Sequence, residues 1–421
     1  MSRNNLINVH CFGREIGKLG FDENRNASFF QYNPSFIAEG IYERIFPMII
    51  RRIPETQVFN KFSNDTFHGL PPMIADSLPD VFGNIVFKAW LEATQTEFKR
   101  ISPLEQLTYV GKRGMGALEY LPNKEIKGEV TINIDEITAI VEKVLQNREH
   151  TSQERLDHQA LLNIFKIGTS AGGIRPKILV SEHKETGAII PGDLVYSNDY
   201  NHYLVKLGID EHLSYSREVI EYIYATMVAK AGISMMRAKL IDNKHFATLR
   251  FDRQNGEKIH ALTATGLTGW NHRDPSVSSY ENLFDLANFL KVPHRDVEQL
   301  FRRMVFNLVF ANHDDHLKNH SFLYDPAKDS WQLAPAYDIT YSLNPEINFT
   351  STSRALSINN KRTGIGLADI LTIAEKYTVK NARGIIHDIV EVTGNFQQLG
   401  KEWQVPEKVI SSIMRDFVTY S

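Results

Sequence analysis

Cysteine is almost missing from this chain: Cys11 is the single one in 421 residues. One thiol excludes an internal disulfide and a Cys-based zinc site, and it points to a reducing compartment. No run of about 18 apolar residues occurs that could span a bilayer. The opening residues, Met1-Ser2-Arg3-Asn4-Asn5, lack the apolar core of a signal peptide. A cytoplasmic protein without a membrane partner is expected. Charge of one sign is also scarce, with 47 Lys and Arg against 50 Asp and Glu, a net charge of -3. Without a whole-molecule basic field, nucleic acid is not an expected direct ligand; a local patch or a DNA-binding partner is the route left open. Internal repeats and low-complexity stretches are absent. An apolar fraction of 42% with 23% charged residues is the composition of an ordinary soluble globular protein. The length calls for two or three folding units.

Residues 6–33 alternate apolar and polar around Phe12-Gly13-Arg14, which predicts a short β-meander. The connector Leu70 to Gly83, rich in proline, leads to an apolar helix near 84–93. Ser102-Pro103-Leu104-Glu105 has a capping hydroxyl, a proline at the first helical position and a glutamate three residues on, so a helix starts there. Polar helices are expected near 133–147 and 153–166. From Ile167 to Leu207 the pattern is β again. A helix near 213–231 closes at Gly232, strands follow between 236 and 264, and the chain after about Ser276 is mainly helical. The expected division is 1–150, 151–265 and 266–421, an α+β arrangement.

The stretch with most chemistry is Asn312-His-Asp-Asp-His-Leu-Lys-Asn319, followed by Asp338 in Ala336-Tyr337-Asp338. Asp314 and Asn319 have the spacing D-x-x-x-x-N of the protein-kinase catalytic loop, in which the Asp accepts a hydroxyl proton and the Asn binds metal. Asp338 sits where a second metal-binding aspartate belongs. Leu300, Phe301, Met304, Val305, Leu308 and Val309 form one apolar stripe at helical period, so a buried helix delivers the loop. Taken alone, the spacing also suits a solvated turn. His294-Arg295-Asp296 spells the kinase triplet HRD, but Phe301 stands where the Asn is needed. Asp296 instead suits the first turn of the helix, where a carboxylate favours the dipole.

Upstream lies Gly168-Thr-Ser-Ala-Gly-Gly-Ile-Arg-Pro-Lys177, whose glycines Gly172 and Gly173 allow backbone N–H groups close to phosphate oxygens. By itself it reads equally as a glycine-bearing hairpin. Lys206, alone among apolar neighbours in His202-Tyr-Leu-Val-Lys206, resembles the kinase strand lysine that holds phosphates. Glu221 on the next helix is its candidate partner, with Glu218 second. The pieces occur in kinase order, and that order carries more weight than any member. Phosphoryl transfer needs a positioned nucleophile, metal ions and charge neutralisation, which this set supplies.

These segments, with Leu70-Pro-Pro-Met-Ile-Ala-Asp76 and Leu249-Arg-Phe-Asp-Arg253, resemble the HipA family of bacterial toxin–antitoxin serine/threonine kinases over nearly the whole chain. The resemblance implies a two-lobed kinase-like fold with an extra N-terminal β-containing subdomain and an all-helical C-terminal lobe. It implies ATP and Mg²⁺ as cofactors, Asp314 as catalytic base, Asn319 and Asp338 as metal ligands, and Lys206 as the phosphate-binding lysine. Leu249, Arg250 and Phe251 would form the hinge that meets adenine. Ser170, with Thr169 beside it, would be the autophosphorylation site that turns the enzyme off, since added negative charge repels nucleotide phosphates. The implied substrate is an aminoacyl-tRNA synthetase, typically the glutamyl enzyme. The implied partners are a HipB-like helix-turn-helix antitoxin and, through it, operator DNA. Two other readings compete: a kinase of small molecules or lipids, and a DNA-bound co-repressor without catalysis.

Overall fold

A computed structural model describes residues 6–62, 64–79, 81–93, 101–123, 132–149, 175–192, 195, 197–209, 211–346 and 353–420. The chain divides into two compact units. The first comprises 1–211, 247–262 and 266–269; the second comprises 212–246, 263–265 and 270–421.

In the first unit the expected meander is present as β1 (Leu6–Cys11), β2 (Arg14–Asp22) and β3 (Ala27–Tyr32). With β4 (Gln57–Phe59) and β5 (Leu118–Leu121) they form one antiparallel sheet in the order β4-β3-β2-β1-β5. Alternation decides its faces: Ile7, Val9 and Cys11 are sealed in, while Leu6 remains exposed. Gly17 is dictated by close approach, because a Cβ there would lie 2.3 Å from the Gln31 carbonyl oxygen on the neighbouring strand. Phe30, Tyr32, Phe36 and Phe46 pack as an aromatic core, with Phe30 and Tyr32 edge to face at 5.1 Å. The helix Pro103–Val110 starts where the sequence places it, the Ser102 hydroxyl accepting from the Glu105 N–H at 3.1 Å. Helices Val81–Ala93 and Ile134–Glu149 correspond to two further expected ones. The helix expected near 153–166 lies outside the described residues.

The same unit holds β6 (Lys177–His183), β7 (Ile189–Pro191) and β8 (Tyr200–Lys206), with β6 paired to both neighbours. Beside β8 runs the end of strand His245–Leu249, joined by the Arg250 N–H to the His202 carbonyl at 2.9 Å.

The second unit begins with helix Arg217–Lys230, capped by Ser216 and followed by Gly232 at a left-handed φ of 70°. Its Tyr222 meets Trp403 near the C-terminus at 5.0 Å, and the Tyr224 hydroxyl donates to the carbonyl of Phe310, which caps the helix His294–Val309, at 2.7 Å. Helix His294–Val309 buries the whole predicted stripe. Asp296 falls in its first turn, where its carboxylate accepts the Leu333 N–H at 2.9 Å, so the HRD triplet is a helix start. Helices Tyr280–Leu290, Leu367–Lys376, Ala382–Val392, Asn395–Glu402 and Glu407–Arg415 complete the helical part. The all-helical expectation needs one correction: strands Ser321–Asp325 and Ser330–Leu333 form a hairpin directly after the catalytic-loop sequence. Asp325-Pro-Ala-Lys-Asp329 turns it, Asp325 accepting from the N–H groups of Ala327 and Lys328. Among the described residues, no helix is long and apolar enough to cross a membrane.

Candidate active site

The long buried helix runs out at Val309, and Ala311 follows at a φ of 52°. A left-handed non-glycine residue is costly and persists only where its surroundings fix it. They do: the Asn312 N–H donates to the Asn307 carbonyl at 3.1 Å, and the His313 N–H donates to the Ser342 hydroxyl at 2.7 Å. The chain then exposes Asp314 and buries Asp315. A short 3₁₀ turn, Leu317–Asn319, brings Asn319 back. Its Nδ2 donates to the Asp314 carbonyl at 3.0 Å, closing the D-x-x-x-x-N loop. With the amide nitrogen so committed, the Asn319 Oδ1 holds the acceptor capacity a cation needs.

Asp338 is carried to the same place by its neighbours. The Ala336 N–H donates to the Ser234 carbonyl at 2.7 Å. The Tyr337 hydroxyl donates to the Lys318 carbonyl at 2.7 Å and lies 2.6 Å from the Ser321 hydroxyl. Asp338 takes a φ of 55°, a second left-handed residue in one small region. Asn319 and Asp338 line one pocket, shared with Arg303, Asp315, His320 and Tyr337.

That pocket is polar and incompletely paired. One Asp315 oxygen accepts from the Tyr280 hydroxyl and from Asn307 Nδ2 at 3.1 Å, while its other oxygen is buried without a protein partner among the described residues. Arg303 donates to the Ala334 carbonyl, yet among the described residues its Nε and Nη1 have no hydrogen-bond partner, and neither does either His320 ring nitrogen. Burial pushes the Asp315 carboxyl up to about 7, against the lowering by Tyr280, Arg354 and Asn307. Burial also holds Arg303 down at about 10 and His320 down at about 3, so this imidazole is neutral.

The donor set fits Mg²⁺. Asn319 and Asp338 would offer it oxygen ligands, and the Asp315 carboxyl lines the same pocket. Among the described residues no group of three or more His, Cys, Asp or Glu could hold a metal. Mg²⁺ needs no such group, since it is bound through one or two carboxylates with water and phosphates.

The remaining candidates are placed as follows. Lys206 ends β8 at 5% exposure and Glu221 lies in helix Arg217–Lys230 at 1%, as does Glu218 at 8%; Lys206 belongs to the first unit and both glutamates to the second. Leu249 ends its strand and is half-buried, as is Phe251. Arg250 is committed elsewhere, its N–H to His202 and its guanidinium to both Asp252 oxygens at 2.9 and 2.8 Å. Thr169, Ser170, Gly172 and Gly173 lie outside the described residues. Sequence reasoning missed Tyr280, Arg303 and His320, and gave Asp315 no separate role. The available signal was the doubled aspartate, of which a loop can expose only one.

Comparison with known proteins agrees with this architecture. Residues 7–121 match the HipA N-terminal domain and residues 169–417 the HipA-like C-terminal domain, so the chain belongs to the HipA family. It is similar to the HipA of Shewanella oneidensis MR-1, solved with HipB and operator DNA. The TM-score is 0.64 over 97% of this chain and 94% of that one, at 16% identity, a likeness of fold. A provisionally named kinase of Haemophilus influenzae is 25% identical over 250 residues, 54% of this chain and 67% of the relative. The provisionally named kinase Y4dM of Sinorhizobium fredii is 30% identical over 95 residues, only 21% of this chain and 23% of its own length.

Proposed function

We propose that this chain is an ATP- and Mg²⁺-dependent serine/threonine protein kinase, the cytoplasmic toxin of a HipA/HipB-type toxin–antitoxin module. The observation that carries the reading is the closed loop: Asn319 bonded to the Asp314 carbonyl, with Asn319 and Asp338 on one pocket. In this reading the exposed Asp314 carboxylate accepts the proton of the substrate hydroxyl, which sharpens the oxygen as nucleophile. Asn319 Oδ1 and the Asp338 carboxylate would hold Mg²⁺, which neutralises charge on the transferred phosphoryl group. Lys206 would hold the α- and β-phosphates, with Glu221 as its partner. Because Arg250 is spoken for by Asp252 and His202, adenine would be met by Leu249 and Phe251.

Family membership supports an aminoacyl-tRNA synthetase as the protein substrate, the glutamyl enzyme first, with growth arrest as the outcome. The HipB and operator DNA of the Shewanella complex support a HipB-like antitoxin and operator DNA as partners. Autophosphorylation at Ser170, or at Thr169, would be the off-switch. The test is phosphate transfer from ATP with Mg²⁺ by the full chain, which Asp314→Gln should lower by about 10³-fold. Wild-type protein that neither binds nor hydrolyses ATP would hand the site to the co-repressor reading. Phosphate found by mass spectrometry elsewhere than Thr169 or Ser170 would sink the off-switch.

A further inference from the structure

We infer that Arg354 is the positioning residue of the catalytic loop, supplying by a built-in cation the order that other kinases obtain from a phosphorylated activation segment. The inference rests on the kinase reading of Asp314.

Arg354 Nη1 donates to the carbonyls of Asn307 at 2.9 Å and Asn312 at 3.0 Å, and Nη2 donates to that of Leu308 at 3.1 Å. Asn307 and Leu308 belong to the last turn of helix His294–Val309, where carbonyls lose their helical partners and the dipole is negative. Asn312 lies in the loop itself, two residues before Asp314. A planar guanidinium can span all three oxygens at once; an ammonium cannot. One side chain thus joins the helix end to the loop across the left-handed Ala311.

Ala355 and Ser342 grip His313 from both sides. The Ala355 N–H donates to the His313 carbonyl at 2.8 Å, and the Ser342 hydroxyl accepts the His313 N–H at 2.7 Å. Arg354 is held in turn by Arg362, whose guanidinium donates to the Arg354 carbonyl at 2.9 Å and to Pro275 and Ser278 at 2.8 and 2.9 Å. Asn312 and His313 are therefore fixed by Ser342, Arg354 and Ala355, which follow Asp338 in the chain.

In the loop form H-R-D-x-x-x-x-N an arginine precedes the aspartate, and kinase activation loops are ordered through arginine–phosphate pairs. Here His313 precedes Asp314. The cation is Arg354 and the acceptors are carbonyls of the helix end and of the loop, so the contact forms without a phosphate. Arg354 touches no reacting atom; it sets where Asp314 stands.

The experiment uses the full chain and compares Arg354→Ala and Arg354→Lys with wild type. Arg354→Ala should lower kcat by about 100-fold with KM for ATP little changed, because a misplacement near 1 Å has that effect. Arg354→Lys should fall between. Amide hydrogen exchange at 311–316 should speed up in Arg354→Ala. Wild-type protein treated with phosphatase should lose no activity. A wild-type kcat in Arg354→Ala, unchanged exchange, or activity lost to phosphatase overturns the inference. If Arg354→Ala fails to fold, Arg354→Lys decides: a kcat about 10-fold lower at constant KM supports the inference, and an unchanged kcat overturns it. Wild-type protein that transfers no phosphate refutes the kinase reading instead, and the exchange measurement then judges the structural role of Arg354 by itself.

Discussion

Asp252 in the first unit and Asp315 in the second are both sealed from water, at 0% and 2% exposure, yet they are held in opposite ways. Asp252 has every oxygen paired. Arg250 grips it through two bonds at 2.9 and 2.8 Å, Arg253 adds a third at 2.8 Å, and the Gly116 N–H a fourth at 2.7 Å. Burial alone would raise its carboxyl, but the two guanidinium groups hold it well below the usual range. Arg253 continues to the Gly114 and Gly116 carbonyls, so the cluster ties the turn before β5 to the segment after strand His245–Leu249. Among the described residues, Asp315 meets neutral donors on one oxygen and no hydrogen-bond partner on the other. A closed charge network is scaffold, whereas an incompletely paired carboxylate beside metal-ligand candidates marks a site.

The largest effect should come from breaking the closed network. Asp252→Ala leaves two buried guanidinium groups facing each other without their anion, which should destabilise the first unit by roughly 3–5 kcal/mol. Denaturant unfolding of the full chain measures it. A loss below about 1 kcal/mol would mean that the arginines find other acceptors, and the contrast with Asp315 would collapse.

Asp315→Asn should behave differently, and its signature is pH. The folded carboxyl keeps its proton to about 7, whereas the unfolded chain releases it near 3.8. Between these values the folded state binds more protons, so this stability is full below about pH 4 and is lost as pH rises to about 7. The gap corresponds to an upper bound of roughly 4 kcal/mol. Asparagine is neutral throughout and can still accept from Tyr280. The variant should therefore gain stability relative to wild type between pH 5 and pH 7.5. Parallel stability–pH curves for the two proteins would show that Asp315 is ionised and paired, making it a second Asp252.

Much of this contrast was hidden in the sequence for physical reasons. The stripe from Leu300 to Val309 fixed the delivering helix by period alone, and the same period identified Asp296 as a helix start rather than a catalytic aspartate. The spacing singled out Asp314, Asn319 and Asp338, and the fold bonds Asn319 to the Asp314 carbonyl and brings Asn319 and Asp338 to one pocket. Asp314 and Asp315 are identical letters, and only tertiary packing decides which is exposed. The partner that separates them, Tyr280, lies 35 residues away, and Arg354 lies 42 residues from the Asn312 carbonyl it caps. No local pattern encodes such distances. The hairpin after Asn319 was within reach, since Asp325-Pro-Ala-Lys-Asp329 is turn chemistry between apolar runs; the expectation of a helical lobe overrode it.

Two serine caps offer the smallest and most discriminating comparison. Ser102 in the first unit accepts the Glu105 N–H, and Ser279 in the second accepts the Asn282 N–H, each at 3.1 Å. Replacing either by alanine removes one helix-cap bond, with the same expected loss of about 1 kcal/mol. Their consequences for transfer should differ. Ser279 caps the helix whose first residue is Tyr280, and Tyr280 holds Asp315 beside the loop. Loosening that turn lets Tyr280 and then Asp315 shift, so Ser279→Ala should lower kcat about threefold while Ser102→Ala leaves it unchanged. Steady-state kinetics at a temperature where both variants are fully folded separates the cases. Equal kcat values would show that Asp315 is held by Asn307 and burial without help from Tyr280, and the path from helix cap to catalytic loop would end at the Tyr280 ring.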